Sequence, residues 1–243
     1  MSFKLRYVLY NSHSILVEWP AKIDSKILQD ILNFKKSIEN LYSKQKVEVI
    51  TAYNSLLIIY KFTIDDVNSA FSDLKELYKN KNNGQDSKAL VWNIPVCYDN
   101  EFGEDLEAFS KEKKLSNSEV IALHSEAIYT VYFIGFLPGF LYLGGLNSKL
   151  FLDRKSSPKL DVKKGSVAIG GAQTGIYPQN SPGGWHIIGN SPIQIFNASE
   201  NPPCKIKAGD KVKFEPISKD VYFDIRSEVE AGSYKLKSLE DDA

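Results

Sequence analysis

The N-terminal part of the chain alternates between runs of β-branched residues and a stretch in which apolar side chains recur every three or four positions. Asp24 precedes that helical stretch and is a suitable N-cap. The pattern predicts strands at Phe3–Tyr10 and Ser14–Trp19, a helix from about Ser25 to Ser43, strands at Val47–Thr51 and Ser55–Phe62, a helix from Thr63 or Asp65 to Tyr78, and a strand at Ala89–Tyr98. The first two runs are expected to form a bend or hairpin. Counted as one unit, they give the order β-α-β-β-α-β, which is typical of a ferredoxin-like sandwich.

Short strands separated by glycines and turn residues dominate the second part of the chain. The expected strands are Thr130–Gly135, Ser166–Gly171, Gly175–Tyr177, Trp185–Ile188, Ile193–Phe196 and Lys211–Pro216. Two short helices, Glu101–Lys113 and Asn117–Ser125, precede them, and Val221–Val229 is either a helix or an edge strand. This pattern predicts a β-barrel or a sandwich, separated from the first part by the polar linker Lys79–Lys88.

Composition excludes several classes of protein. The 243 residues include 30 basic and 30 acidic side chains, so the formal net charge is zero and we expect neither a nucleic-acid nor a membrane partner. A secretory signal and a membrane-spanning apolar run are not evident, which predicts a cytoplasmic protein. The two cysteines, Cys97 and Cys204, have no metal-ligand spacing, so we expect reduced thiols and no metal site.

Glycines and aromatic residues are concentrated between Ile128 and Pro192, which contains eleven of the fifteen glycines. Pro138-Gly139 and Pro182-Gly183 both match a type II turn. Turns that hold flat side chains can form a pocket wall or a docking surface, whereas the alternative is that the aromatic rings are simply core.

Standard catalytic motifs are absent. The Gly170–Ile176 segment lacks the Lys-Ser/Thr of a P-loop, and the chain has neither a GxGxxG nor a GxSxG motif. His124, at the end of a predicted helix, is either a candidate catalytic group or a structurally satisfied histidine. The basic connector, defined as residues 149–164, has four more basic than acidic side chains and could hold a carboxylate or phosphate, although a solvated loop is the plainer explanation. Its basic residues are Lys149, Arg154, Lys155, Lys159, Lys163 and Lys164.

Two motifs resemble one known family. FIGFLPGFLYLGGL, beginning at Phe133, and GSVAIGGAQTGIYPQNSPGGW, beginning at Gly165, are similar to the signature of the allophanate hydrolase subunit 1 family. The similarity continues through 52–60, 94–106 and 121–125. It implies that the β-rich part over 127–232 is a cyclophilin-like β-barrel. Together with the pattern of the first part, the expected organisation is a ferredoxin-like domain over 1–88, a connecting strand with short helices over 89–126, this barrel, and a tail over 233–243.

The resemblance also implies a function. The family includes the B subunit of bacterial 5-oxoprolinase, which predicts a non-identical subunit of an ATP-dependent enzyme that hydrolyses 5-oxo-L-proline to L-glutamate. Its expected partners are the A and C subunits of that enzyme, including a KipA-like protein, and ATP is expected to be held by, or shared with, a partner. The alternatives are a KipI-like inhibitor of a sensor histidine kinase, an allophanate hydrolase or urea-pathway subunit, and, from the barrel, a prolyl isomerase.

The expected site combines both motifs. Polar groups in the second motif could orient a small ligand that has an amide and a carboxylate. His124 and Lys159 are the catalytic candidates, but many family members have arginine at the position of Lys159, and at Asn190, which weakens an anion-binding role. The predicted substrate-binding residues are Phe136, Pro138, Gly139, Phe140, Tyr142, Gln173, Thr174, Tyr177, Ser181, Gly183, Gly184 and Trp185.

Overall fold

The chain divides into two units, Met1–Ser87 and Lys88–Ala243. The structure, a computed structural model, describes residues 3–43, 47–81 and 89–240. Most of the predicted linker Lys79–Lys88, and the end of the predicted tail, therefore lie outside the described residues. Within the described ranges, no helix is long and apolar enough to cross a membrane.

In the residues that the structure describes, the first unit contains one antiparallel sheet and two helices. The strands lie in the order β1-β2-β4-β3. Every helix and strand predicted before residue 80 is present, with ends shifted by a few residues. The elements are β1 (Arg6–Asn11), β2 (Ser14–Glu18), α1 (Ser25–Leu41), β3 (Glu48–Thr51), β4 (Ser55–Ile59) and α2 (Val67–Lys79).

Helix α1 covers this sheet through one apolar face. The Asp24 side chain accepts a hydrogen bond from the Lys26 backbone N–H at 2.8 Å and so begins the helix. Residues on the inward face repeat at helical spacing, and they pack with β2 and β4 into one buried cluster. The buried residues of α1 in this cluster are Ile27, Ile31, Phe34 and Ile38.

A buried carboxylate, Asp30, lies beside this core. Its Oδ2 accepts hydrogen bonds from Trp19 Nε1 at 2.8 Å and from the Tyr78 hydroxyl at 2.6 Å. Its Oδ1 lies 2.6 Å from Lys81 Nζ, and both charged side chains are buried. The Lys81 ammonium also lies 3.5 Å from the centroid of the Tyr78 ring. This network joins α1 to the end of β2 and to the end of α2.

The ferredoxin-like order is incomplete in the first unit. The last predicted strand, β5 (Leu90–Val96), pairs with strands of the second unit and not with the first sheet. The first unit therefore has the order β-β-α-β-β-α within its described residues. The pattern predicted β5 correctly but gave no information on its partner, because pairing is set by tertiary contacts.

The second unit contains an eight-stranded sheet, a two-stranded sheet and three helices. The large sheet has the order β12-β9-β10-β7-β6-β13-β5-β14, with β5 and β13 parallel and the other pairs antiparallel. The remaining elements are α3 (Leu106–Lys113), α4 (Asn117–Ser125), β6 (Ile128–Ile134), β7 (Leu141–Gly144), a 3₁₀ turn (Ser148–Leu150), β8 (Lys159–Val162), β9 (Ser166–Gly170), β10 (Gln173–Ile176), β11 (Ser181–Gly183), β12 (His186–Asn190), β13 (Lys211–Pro216), α5 (Lys219–Glu230) and β14 (Ser238–Glu240).

The large sheet is not a closed barrel within the described residues. Its ladder ends at β12 on one side and β14 on the other. One bridge joins β12 to the residue that follows β5, where Cys97 and Asn190 exchange backbone hydrogen bonds of 2.9 Å in both directions. The mixed α+β class is thus confirmed, whereas the cyclophilin-like assignment and the cytoplasmic location stay predictions.

Several local predictions for the second unit were wrong. Ile193–Phe196 is not a strand: Ile193 and Ile195 are buried in the core, and their alternation reflects burial on one side without sheet pairing. Ser181–Gly183 is the strand β11 rather than part of a type II turn, and Gly183 does not have a positive φ. Strands β7, β8 and β14 were also missed because they are short and interrupted by polar residues or glycines.

Candidate functional site

A cleft of about 800 Å³ opens in the second unit between the two glycine and aromatic motifs. Eight of the twelve predicted substrate-binding residues line it: Phe136, Phe140, Tyr142, Gln173, Tyr177, Gly183, Gly184 and Trp185. Four do not: Pro138, Gly139, Thr174 and Ser181. The structure adds lining residues that were not selected from the sequence: Asp153, Arg154, Pro158, Gly170, Gly171 and Pro182.

Three buried aromatic rings form the floor of the cleft. Phe140 packs edge-on against Tyr177, with ring centroids 5.2 Å apart, and against Trp185, with centroids 5.5 Å apart. Two glycines make room for these rings: a Cβ on Gly170 would lie 2.4 Å from Trp185, and one on Gly183 would lie 2.3 Å from the Tyr177 hydroxyl. The sequence offered two roles for these aromatic rings, a pocket wall or part of the core. In the structure the same three rings are buried and also line the cleft.

The loop after β6 forms one rim of the cleft. Pro138-Gly139 is the predicted turn, because Gly139 has φ +84° and the Phe140 N–H donates to the Leu137 carbonyl at 3.0 Å. Phe136 is 63% exposed and has φ +66°, a left-handed conformation that is unfavourable for a bulky side chain. A strained, exposed phenylalanine at a cleft rim is typical of a ligand-contacting position.

The segment from Leu152 to Lys155 also borders the cleft, through Asp153 and Arg154, and both of its ends are fixed. Leu152 and Gly171 exchange backbone hydrogen bonds of 3.2 and 2.7 Å. The Lys155 N–H donates to the Gly184 carbonyl at 2.7 Å, and its Nζ donates to both carboxylate oxygens of Asp105 at 2.7 Å. This segment is therefore held rigidly where it borders the cleft.

Arg154 lies in the middle of this fixed segment and faces the cleft. Within ranges 3–43, 47–81 and 89–240, no hydrogen bond or ion pair engages its guanidinium group. Burial raises the pKa values of Tyr142 and Tyr177, and the positive charge of Arg154 acts in the opposite direction on both. The cleft thus combines neutral phenols with the Arg154 guanidinium group and the Asp153 carboxylate, and the guanidinium is the group that suits a planar anion such as a carboxylate.

Gln173 is the second available polar side chain in the cleft. It is half-buried, and its carboxamide has no hydrogen-bond partner in the part of the chain that the structure describes. The backbone N–H of Trp185, in turn, acts to lower the pKa of Tyr177 against the effect of burial. Since successive side chains of a strand point to opposite faces, Thr174 on the same strand points away into the core.

His124 lies in that core and does not line the cleft. Thr174 Oγ1 donates its single proton to the Ala168 carbonyl at 3.0 Å, so it accepts from His124 Nε2 at 2.9 Å. His124 Nδ1 then accepts from the Tyr98 hydroxyl at 2.8 Å. Because burial keeps the imidazole neutral, its proton lies on Nε2, and both ring nitrogens have hydrogen-bond partners.

The neutral state of His124 predicts an acid-sensitive stability. Burial lowers its pKa from 6.5 to about 3, so between these values the unfolded chain binds a proton that the folded chain excludes. We expect the free energy of unfolding to decrease as the pH is lowered through this window, by up to about 1.4 kcal/mol per pH unit from this residue. Urea denaturation of the wild type and of His124→Gln at several pH values tests this. Equal slopes for the two proteins between about pH 6.5 and about pH 4.5 would contradict it.

Lys159, the other catalytic candidate, is engaged elsewhere. Its Nζ lies 2.5 Å from Glu104 Oε1 in a half-exposed ion pair, and the residue does not line the cleft. Ser181 Oγ donates to the Pro182 carbonyl at 3.2 Å, so its hydroxyl satisfies a local backbone group. The available cation is Arg154, which the sequence placed in the basic connector without selecting it. The sequence did contain one indication that singles out Arg154: it is the only arginine between Arg6 and Arg226.

The glycine-rich segment that follows β9 does not fit a nucleotide phosphate group of the P-loop kind. Gly170 and Gly171 end β9 and lead directly into β10, whereas a P-loop precedes a helix whose N-terminus faces the phosphates. In the described ranges, no group of three or more His, Cys, Asp or Glu side chains could hold a metal ion. What the cleft can do is bind and orient a small anionic ligand.

Comparison with known proteins extends this picture. Residues 5–206 match the family model of the carboxyltransferase domain, subdomain C and D. The chain is 40% identical over 192 residues to the 5-oxoprolinase B subunit of Bacillus subtilis, which covers 75% of this chain and 80% of that protein. It is 42% identical over 168 residues to the 5-oxoprolinase B subunit of Haemophilus influenzae, which covers 69% of this chain and 78% of that protein.

One solved structure shows the same fold in a much larger protein. The crystal structure of the Kluyveromyces lactis urea amidolyase matches with a TM-score of 0.82 and 18% identity, over 99% of this chain and 16% of that chain. At this level of identity the likeness concerns the fold alone.

Proposed function

The chain belongs to the family of the carboxyltransferase domain, subdomain C and D, and we propose that it is the B subunit of an ATP-dependent 5-oxoprolinase, an enzyme that opens the lactam ring of 5-oxoproline to form glutamate. Support comes from the similarity to 5-oxoprolinase B subunits over most of both chains. The resemblance predicted from the two glycine and aromatic motifs is thereby confirmed.

The single observation that connects this function to the structure is the position of Arg154. 5-Oxoproline is a small, flat ring with one carboxylate. The cleft offers aromatic surfaces for such a ring and one unpaired guanidinium group for its carboxylate, which arginine can bind through two parallel hydrogen bonds. We place the substrate in this cleft, with Arg154 as the group that binds the carboxylate.

The remainder of the reaction is assigned to partner subunits. The cleft contains no serine, cysteine or lysine nucleophile among its lining residues. The glycine-rich segment after β9 does not fit a nucleotide in the manner of a P-loop, so we derive no catalytic step through ATP in this chain. The proposal is that the A and C subunits supply nucleotide binding and lactam activation, while this chain binds and orients the substrate.

Reconstitution tests the proposal. We expect this chain alone to be inactive, and a mixture with the partner A and C subunits to show 5-oxoproline-dependent release of ADP and glutamate. The matched control is the mixture without this chain, which is expected to lose at least most of that activity. Turnover by the two partners alone, or no turnover in the full mixture, would overturn the proposal.

The alternatives have less support. The relatives described above provide no support for a sensor histidine kinase as a partner, so we do not propose it. The urea amidolyase likeness concerns the fold alone. Allophanate is therefore a control substrate in the same assay, where turnover of allophanate without turnover of 5-oxoproline would reassign the substrate.

A further inference from the structure

Gln173 provides the cleft with a second recognition group, distinct from the cation. We infer that Gln173 determines substrate specificity by pairing its carboxamide with the lactam edge of the ligand, while Arg154 binds the carboxylate. This inference rests on the proposed function, because it concerns the same cleft and the same substrate. It assigns the ligand class as a cyclic secondary amide with a carboxylate on the adjacent ring carbon.

Strand β10 holds the backbone of Gln173 in a fixed position. Gln173 is paired with Gly170 in the β9–β10 ladder, and the next residue, Thr174, is fixed in the core by His124 and Ala168. The Gln173 backbone therefore has little freedom, and its side chain lies on the cleft face. A half-buried carboxamide without a protein partner in the described residues has hydrogen-bonding capacity available for a ligand.

The chemistry of a lactam matches this side chain. Ring closure holds the amide in the cis form, so its N–H and its C=O point to the same side. A primary carboxamide offers one acceptor oxygen and two N–H donors, so it can accept from the lactam N–H and donate to the lactam oxygen at once. Few other side chains offer a donor and an acceptor in this planar arrangement.

This pairing distinguishes 5-oxoproline from related compounds. Proline keeps the ring and the carboxylate but has no ring carbonyl, and the equivalent lactone keeps the carbonyl but has no N–H. Glutamate, the product, has no lactam edge. Leaving one group of such a pair without its partner typically costs about 1 to 3 kcal/mol, so each loss weakens binding by roughly 5- to 150-fold.

Substitution of Gln173 in the reconstituted assembly tests the inference. The readouts are kcat/KM for 5-oxoproline and the inhibition constants of the lactone and of proline. For Gln173→Leu we expect kcat/KM to fall by about 5- to 150-fold, mainly through KM, and the wild-type preference for the lactam over the lactone to shrink to about threefold or less. Gln179→Leu, at an exposed glutamine outside the cleft lining, is the matched control.

A second variant separates recognition from folding. Gln173→Glu has nearly the same shape and, when ionised, still accepts from the lactam N–H but cannot donate to the lactam oxygen, so kcat/KM for 5-oxoproline should fall while the preference for the lactam over the lactone is kept. An unchanged lactam preference in Gln173→Leu, or an unchanged kcat/KM for 5-oxoproline in both variants, overturns the inference and leaves the proposed function intact. If the wild-type assembly does not turn over 5-oxoproline, the proposed function fails and the inference fails with it.

Discussion

Replacing Arg154 with methionine is expected to lower kcat/KM for 5-oxoproline in the reconstituted assembly by roughly 30- to 1,000-fold. The physical reason is that the carboxylate loses a charge-assisted pair of hydrogen bonds in an aromatic cleft, which costs about 2 to 4 kcal/mol. Arg154→Lys restores the charge without the planar fork, so it should recover only part of this loss. Steady-state kinetics with varied 5-oxoproline measures the effect.

The basic connector itself provides the controls. Lys163→Met removes one positive charge from the same connector, but Lys163 forms an exposed ion pair with Asp161 and does not line the cleft. Lys159→Met breaks only the ion pair with Glu104. Both variants should stay within about twofold of the wild type, because exposed ion pairs contribute little. A loss in Lys159→Met as large as that in Arg154→Met would show that the connector acts through its general charge and not through Arg154.

Asp30→Ala is expected to destabilise the first unit by about 3 to 5 kcal/mol, because it leaves the buried Lys81 ammonium without its counter-charge. Trp19 Nε1 and the Tyr78 hydroxyl lose their acceptor in the same substitution. Native-state hydrogen exchange of α1 and β4, followed by mass spectrometry, measures the free energy of unfolding of this unit separately from that of the second.

Two comparisons make this stability prediction specific. Asp65→Ala removes an exposed carboxylate from the same unit and should change the unfolding free energy by about 0.5 kcal/mol or less. Asp30→Leu combined with Lys81→Met removes both charges, so the double variant should regain much of the stability lost in Asp30→Ala. A change below about 0.5 kcal/mol in Asp30→Ala would contradict the assignment of this ion pair as a structural centre.

The sequence was most informative where local signals decide the structure. The α1 prediction holds because an Asp N-cap and an apolar stripe act within a single helix. β13 was placed at Lys211–Pro216 with correct bounds. The partner of β5 and the gap between β12 and β14 could not be predicted, because strand pairing depends on residues distant in the chain.

The candidate site was predicted in outline and not in detail. Motif residues such as Phe140 and Trp185 do meet, since turns and glycines bring the two motifs together. The sequence could not decide whether Lys159 or Arg154 is the available cation, because that depends on which of them forms an ion pair with Glu104. In the same way, only the pairing of β10 with β9 shows that Gln173 faces the cleft while Thr174 supports His124.

The most direct test is a crystal structure of the reconstituted assembly with 5-oxoproline bound. The account predicts that the ligand lies in the second-unit cleft, with its carboxylate on Arg154 and its lactam edge on Gln173. Density for 5-oxoproline at another site, with this cleft empty or filled by a partner side chain, would contradict the claim that this chain binds the substrate.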